Sequence, residues 1–284
     1  MATLDATLRD ARQDLAKAGL RQEGLAPGDA DILLAHVLDR PRTWLHAHGD
    51  EPLASAASAR FAALLARRIA GEPVAYLTGR QGFHDIDLAV THATLIPRPE
   101  TECLVELALA RLPAGMEADV ADLGTGSGAI ALAIARQRPR ARVLATDASQ
   151  AALEVARANA RALGLGNVAF VHGHWWRATG DARFDLVASN PPYVAEGDPH
   201  LGQGDLRHEP RSALASGPEG LDAIREIIVG ASRHLRPGGW LLLEHGWEQG
   251  AAVRALLHDG GLRGVETALD LEGRERVSMG CLGG

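Results

Sequence analysis

The chain has 284 residues, 46% apolar and 23% charged, which fits a globular protein with a sizeable core and excludes a disordered chain. Its formal net charge of −7 offers no global positive field to draw it to nucleic acid, and no dense Lys/Arg run stands out. Two distant cysteines, Cys103 and Cys281, form neither a disulfide framework nor metal-site spacing, and suit a reduced, cytoplasmic protein.

The first segment carries charges throughout and has no apolar h-region, so no signal peptide is expected. No run of about 18 uncharged apolar residues predicts a membrane span. Leu4, Leu8, Ala11, Leu15 and Ala18 recur at helical spacing until Gly19 and Gly24 interrupt. Pro27-Gly28-Asp29 is a turn that opens a second helix over Ala30–Leu38, which Pro41 stops. A third runs from Ser55 to Ala70, with Phe61, Leu64, Leu65 and Ile69 on one face. From Gly82 to Leu95 the apolar residues Phe83, Ile86, Leu88 and Val90 mostly alternate with polar ones, as in a β-hairpin. Ile96-Pro97-Arg98-Pro99-Glu100 is a rigid loop, since two prolines so close cannot lie inside a helix, and a helix follows through Leu112.

Beyond Met116 strands and helices alternate. Strands are predicted over Asp119–Leu123, Arg142–Thr146, Val168–Val171, Phe184–Ser189 and Trp240–Glu244, with a terminal pair over Val265–Leu269 and Arg276–Met279. Helices are predicted over Gly128–Arg138, Ala151–Leu163, Leu221–Leu235 and Glu248–His258. This rhythm implies an α/β fold with a mostly parallel sheet, whose ligands bind at the C-terminal ends of the strands. Three regions follow: a helical domain over 1–79, a β-hairpin linker over 80–96 and an α/β domain over 97–284.

The stretch Asp122-Leu123-Gly124-Thr125-Gly126-Ser127-Gly128 lies where a strand meets a helix. Its glycines allow a tight turn and close approach to a ligand, and the helix behind them presents free N–H groups. Gly124, Gly126 and Ala129 also satisfy a dinucleotide fingerprint. Asp147, ending the next strand, can accept two hydrogen bonds from a ribose diol, unless it caps the following helix in competition with Ser149. Together these features indicate an adenosine-containing cofactor and do not separate NAD from S-adenosylmethionine.

Asn190-Pro191-Pro192-Tyr193, at the end of a strand, separates them. A dehydrogenase has no use for this tetrapeptide, whereas methylation of a planar NH₂ group does. An amide nitrogen is a poor nucleophile because its lone pair is delocalised into the carbonyl. The site must therefore orient the NH₂ group toward the methyl donor. The Asn190 side-chain carbonyl can accept one N–H and a proline carbonyl, that of Pro191, the other, with φ of the prolines fixed. Tyr193 can stack on the substrate group. Positioning of this kind lowers a barrier by several kcal/mol, on the order of what oriented intramolecular reactions gain. The twelve histidines are scattered and form no ligand set, so no metal is expected.

The tetrapeptide and glycine loop resemble class I methyltransferases acting on planar NH₂ groups. This group includes N6-adenine DNA methyltransferases and protein glutamine N5-methyltransferases. The acidic charge and the proline loop argue against the adenine reading, which would act on a flipped base. Ile96 to Glu102 (IPRPETE), Gly71 to Gly79 (GEPVAYLTG), Glu209-Pro210-Arg211 and Gly217 to Leu221 (GPEGL) resemble the release factor glutamine methyltransferases, over about Leu33 to Met279. The resemblance implies a Rossmann-like, mostly parallel seven-stranded sheet with a helical N-terminal substrate-recognition domain, and S-adenosylmethionine as cofactor. It implies that Gly124, Thr125, Gly126, Ser127 and Gly128 contact the cofactor, Asp147 its ribose, Trp175 its adenine and Asn190 both cofactor and substrate. Asn190, Pro191, Pro192 and Tyr193 would grip the glutamine, with Asn190, Pro191 and Tyr193 catalytic. Arg98 and Glu100 would lie near the mouth of the site. The implied partner is a class 1 peptide chain release factor, methylated in its Gly-Gly-Gln motif, by a monomer without direct contact to nucleic acid or membrane. Two positions depart from the family pattern: His174 stands where an acid usually precedes the tryptophan, and His84 where a second aromatic follows Phe83. Trp176 reads as a packing residue, and Glu244-His245 as a strand end that could line the cleft.

Overall fold

The computed structural model describes residues 2–20 and 24–284. The chain forms two compact units, one of residues 1–80 with 199–208, the other of residues 81–198 with 209–284. No helix among the described residues is long and apolar enough to cross a membrane.

The first unit is helical, with α1 (Leu4–Gly19), α2 (Asp29–Leu38), α3 (Arg42–Ala47), α4 (Ser55–Ile69) and α5 (Val74–Thr78). Leu4, Leu8, Ala11 and Leu15 form the buried face of α1, and Thr3 caps it, Oγ1 accepting from the Ala6 N–H at 3.3 Å. The sequence does not predict α3 and α5, because helices of six and five residues are too short to show a period. Leu33, Leu34, Leu45 and Phe61 fill the core. Arg68 of α4 is buried too, and a buried cation needs partners. Its Nε donates to Asp29 at 2.7 Å, and its Nη1 donates to Asp205 and to the Glu72 carbonyl, both at 3.0 Å. Asp205 lies between two short 3₁₀ turns, Pro199–Gly202 and Leu206–His208. This pairing and the Arg207 Nη2, which donates to the Ala70 carbonyl at 2.8 Å, tie the distant segment to the helical unit.

The chain enters the second unit along β1 (Arg80–Phe83), which pairs with β2 (Ile86–Ala89), and α6 (Thr101–Arg111) follows the proline loop. Then come β3 (Asp119–Leu123), α7 (Ala129–Gln137), β4 (Arg142–Asp147), α8 (Gln150–Ala162), β5 (Val168–His172) and β6 (Phe184–Ser189). The remainder is α9 (Asp222–His234), β7 (Leu235–Glu244), α10 (Gly250–Asp259), β8 (Leu262–Leu269) and β9 (Glu275–Leu282). The seven-stranded sheet has the order β5-β4-β3-β6-β7-β9-β8. Strands β5 through β7 pair in parallel, while β9 runs antiparallel to both β7 and β8. This is the mostly parallel sheet expected of a class I methyltransferase. One boundary differs: α9 stops at His234 and β7 already begins at Leu235. Pro237 cannot continue a helix, and β7 is irregular there, with Leu235 opposite Phe184 but Trp240 opposite Leu186.

β4 and β6 flank β3 on opposite sides, so the winding reverses at β3, the place where such sheets bind ligands. Asp122, one residue before the end of β3, is fully buried there. Its Oδ2 accepts from the Thr125 hydroxyl at 2.6 Å and from the Ala131 N–H at 3.1 Å, tying the glycine loop to the first turn of α7. Its Oδ1 has no hydrogen-bond partner among the described residues. Burial pushes the Asp122 carboxyl up to about 7, against the opposing pull of Thr125 and Ala131.

A carboxyl raised in this way contributes its full stability below the unfolded value of 3.8 and loses it as pH rises toward about 7. Asp122→Asn keeps an acceptor for Thr125 and Ala131 but does not titrate. Relative to this variant, the native chain is therefore expected to lose on the order of 4 kcal/mol between about pH 4 and pH 7. Denaturant melts of both proteins across that range check this; parallel pH profiles would refute it.

Candidate active site

A cleft of about 730 Å³ opens at the C-terminal ends of β3, β4, β5 and β6, within the range of pockets that hold small ligands. Its wall includes Gly124, Gly126, Asp147, Trp175, Asn190 and Pro192. Backbone bonds aim the glycine loop: the Gly124 and Thr125 N–H groups both donate to the Thr146 carbonyl, at 2.9 and 2.8 Å. Gly124 has φ +78°, and a Cβ on it would stand 3.1 Å from the Trp175 ring, so the bare backbone is what lets the indole lie across it.

The other loop residues are placed differently from the expectation that all five contact a cofactor. Thr125 and Ser127 are buried, and neither they nor Gly128 line the cleft. Thr125 turns inward to Asp122, and the Ser127 carbonyl accepts from the Asn159 side chain at 2.9 Å. At Gly128, φ +91°, a Cβ would meet Leu132 at 2.9 Å, so this glycine serves close helix packing. The Thr125 hydroxyl and the Ser127 carbonyl hold the loop from below, which leaves Gly124 and Gly126 to face a ligand.

Ser149, not Asp147, caps α8, its Oγ accepting from the Ala152 N–H at 3.2 Å. Asp147 is held by the Gly126 N–H on Oδ2 and the Ser149 N–H on Oδ1, both at 2.8 Å. Each oxygen keeps a lone pair toward the cleft, the arrangement a ribose diol requires. Trp175, with φ +43°, is 9% exposed and packs between Gly124 and His174. Glycine cradle, paired acceptors and aromatic face together fit an adenosine moiety. His174 pairs through Nδ1 with Glu226 of α9 at 3.4 Å, so an acid reaches this end of the cleft from another element. Trp176 does pack: its Nε1 donates to the Ile227 carbonyl at 2.9 Å, and its ring stacks on His234 at 4.6 Å.

Asn190 stands at the cleft wall with its Nδ2 donating to Thr101 Oγ1 at 3.1 Å. The side-chain carbonyl is thereby the end left to a donor in the cleft. Pro192 lines the wall, Pro191 beside it is buried, and Tyr193 is absent from it. Tyr193 turns its hydroxyl inward, donating to Glu244 Oε1 at 3.2 Å, and its carbonyl accepts from Gln249 at 3.0 Å. Burial and the Glu244 charge hold its phenol well above the usual range. The hydroxyl thus anchors the tetrapeptide to β7, a role that the stacking expectation does not contain. Glu244 is itself fully buried, and burial pushes its carboxyl up to about 7 against the opposing pull of Thr101, Arg276 and Tyr193. His245 turns away from the cleft, Nε2 on Ser278 Oγ at 2.8 Å, and its burial lowers its pKa.

The proline loop meets the Glu209-Pro210-Arg211 segment through Glu209. That carboxylate accepts from the Ile96 N–H at 2.9 Å and pairs with Arg98. Arg98 therefore fastens the loop and does not itself line the cleft, while Pro210 and residues 92–95 do. Glu102 accepts from the His84 N–H at 2.8 Å, where the hairpin turns with φ +53°, and the His84 ring bridges Asp85 and Glu106 at 3.0 and 2.6 Å. Polar pairing takes the place of aromatic packing at that turn, and the two carboxylates raise the His84 pKa. Asp122, Glu209 and Glu244 organise the site. All three stand in stretches the sequence singles out, but the roles they take depend on partners that only the fold brings to them.

Comparison with known proteins places this geometry. Residues 6–79 match the family described as PrmC N-terminal domain, and residues 104–256 match the Methyltransferase small domain family. Among solved structures, a methyltransferase from Pyrococcus furiosus superposes with a TM-score of 0.53 at 18% identity, covering 77% of this chain and 97% of that one. The 16S rRNA N2 G1207 methyltransferase of T. thermophilus superposes with a TM-score of 0.51 at 21% identity, covering 72% and 49%. At these identities the likeness is one of fold. Closer in sequence is the release factor glutamine methyltransferase of Xylella fastidiosa (strain Temecula1), 62% identical over 89% of this chain and 92% of that protein. Its namesakes from Pseudomonas aeruginosa and Vibrio cholerae are 50% identical over 89% of this chain and 91% of theirs, and 45% identical over 98% and 96%. With such relatives along nearly its whole length, the chain belongs to the release factor glutamine methyltransferase family.

Proposed function

We propose that this protein transfers a methyl group from S-adenosylmethionine to the side-chain amide nitrogen of the glutamine in the Gly-Gly-Gln motif of class 1 release factors, and so acts on translation termination. The observation that carries this reading is Asn190, held at the wall of an adenosine-shaped cleft with its amide nitrogen committed to Thr101. The names of the relatives support the choice of substrate. Gly124, Gly126, Asp147 and Trp175 would hold the cofactor, with Thr125, Ser127 and Gly128 keeping the loop in shape. The cofactor supplies an electrophilic methyl group on a positively charged sulfur.

The protein's own residues then have to orient an amide. The Asn190 carbonyl accepts one N–H of the glutamine side chain, and the Pro191 carbonyl accepts the other. Both hydrogens grow more acidic as the nitrogen is alkylated, so acceptors fixed in advance favour the transition state over the ground state. Pro192 closes the wall, and Tyr193, tied to Glu244, keeps the tetrapeptide from moving. The product sheds its proton to water, and no strong base is needed. The helical unit would recognise the body of the release factor, and the reaction belongs in the cytoplasm, with a monomer acting.

Two outcomes are expected. Purified protein with radiolabelled S-adenosylmethionine should label a class 1 release factor and not DNA, and replacing the glutamine of the acceptor motif should abolish labelling; persistent labelling, or DNA as the better acceptor, would refute the assignment. Asn190→Ala should lower turnover by about a hundredfold, the order expected for loss of a positioning hydrogen bond in a closed site, with cofactor affinity weakened much less. Calorimetric titration of the cofactor beside single-turnover kinetics measures both, and loss of binding with no separate loss of turnover would remove Asn190 from its role.

A further inference from the structure

The end of the cleft beside Trp175 holds a carboxylate with no task in the reaction. Three acids line the cleft: Asp147, Asp222 and Glu226. Asp147 is held at the ribose end by two backbone N–H groups. Asp222 accepts from Arg225 Nη1 at 3.0 Å. Glu226 receives no hydrogen bond among the described residues. The His174 Nδ1 stands 3.4 Å from its Oε1, and both side chains are half exposed.

The fold sets this carboxylate beside Trp175. Trp175 opens a 3₁₀ turn, Trp175–Ala178, and the next residue, Trp176, docks that turn on α9. The Trp176 Nε1 donates to the Ile227 carbonyl at 2.9 Å, and a Cβ on Gly230 would collide with the indole. Asp222, Ala223 and Glu226 are spaced by one, three and four residues, so they share the face of α9 that lines the cleft. The sheet runs the same way. Asp147 pairs with His172 at the end of β5, and Gly173 and His174 follow at the cleft wall. A nucleoside with its ribose on Asp147 would therefore extend its base toward Trp175, His174 and Glu226.

The 6-amino group of adenine is a hydrogen-bond donor. A carboxylate accepts at both oxygens, whereas a histidine ring accepts at one nitrogen and only when neutral. Resting on the reading of the cleft as the seat of S-adenosylmethionine, we propose that Glu226 determines specificity for the cofactor's base. Its carboxylate accepts from the adenine amino group, and so supplies from α9 the acid that position 174 lacks. His174 packs edge-on against Trp175, with ring centroids 5.1 Å apart, and so places a cationic or donor-bearing ring where it holds the carboxylate at that end of the cleft. Hypoxanthine carries a 6-oxo group in place of the amino group, and Glu226 would meet that acceptor with another acceptor.

The test titrates S-adenosylhomocysteine and S-inosylhomocysteine into native and variant protein by calorimetry, with thermal melting to follow folding. The native protein is expected to prefer the adenine ligand by at least about tenfold, the order of one hydrogen bond to a charged group. Glu226→Ala should weaken S-adenosylhomocysteine about tenfold and S-inosylhomocysteine less than about threefold, so that the preference nearly vanishes. The double variant with His174→Asp and Glu226→Ala, which moves the acid onto the loop, should recover the preference. Equal affinity of the native protein for the two ligands overturns the proposal. So does a native preference in Glu226→Ala, or equal weakening of both ligands, which marks a packing role. A double variant that shows no preference overturns the equivalence of the two positions. If Glu226→Ala fails to melt cooperatively, Glu226→Gln takes its place, because its amide can turn a donor toward the 6-oxo group; a native preference there overturns the proposal. The two levels stay separate: native protein that binds neither ligand refutes the cofactor reading of the cleft, whereas native binding with an unaltered preference in the variant refutes only the role of Glu226.

Discussion

The parallel register of β3 with its two neighbours fixes the level at which three loops leave the sheet, and the chemistry depends on that level. Leu123 lies beside Thr146 on β4, and Asp122 lies beside Ala188 on β6. Gly124, Asp147 and Asn190 therefore emerge side by side, each within two residues of its strand's last paired position. The Ser189 hydroxyl donates to the Leu123 carbonyl at 2.6 Å and carries the β3–β6 contact to the final residue of β6. A slip of one residue in either pairing would turn the inward side chains outward and part Asn190 from the glycine loop.

Around that point, buried acids do work that the backbone alone cannot. Asp122 holds the glycine loop on α7, Glu209 holds the proline loop on its neighbour, and Glu244 holds Tyr193. Glu209 and Glu244 act through donors brought from another part of the chain, and Asp122 through the loop and helix that follow it. Burying an acid is costly unless donors surround it, so each of these three restricts its neighbours to few arrangements. A cleft wall of this kind is set in position before a ligand enters, which is what positioning catalysis requires.

Much of this was legible in the sequence where the determinants are local. The alternation of apolar strands and amphipathic helices gave the α/β order, and the glycines of the loop gave its place, because both depend on neighbours a few residues away. Asn190 and Asp147 were identified at strand ends for the same reason. The direction in which Thr125 and Tyr193 point was not legible. Each has a hydrogen-bonding group that could face a ligand or a buried partner, and only the tertiary neighbours decide. Helices α3 and α5 escaped because they are too short for a period, and the early start of β7 because Pro-Gly-Gly resembles a terminator when it is in fact an irregularity within a strand.

The pairing of Arg68 with Asp205 bears on how the helical unit could be handled or inherited. A fragment cut after residue 80 would contain all five helices and every residue of their apolar core, yet it would leave behind a carboxylate that serves a fully enclosed guanidinium. The unit is thus not a bead on a string. Its boundary encloses two separated stretches of the gene, and any exchange of this unit between relatives has to carry the 199–208 segment with it or supply another anion in its place.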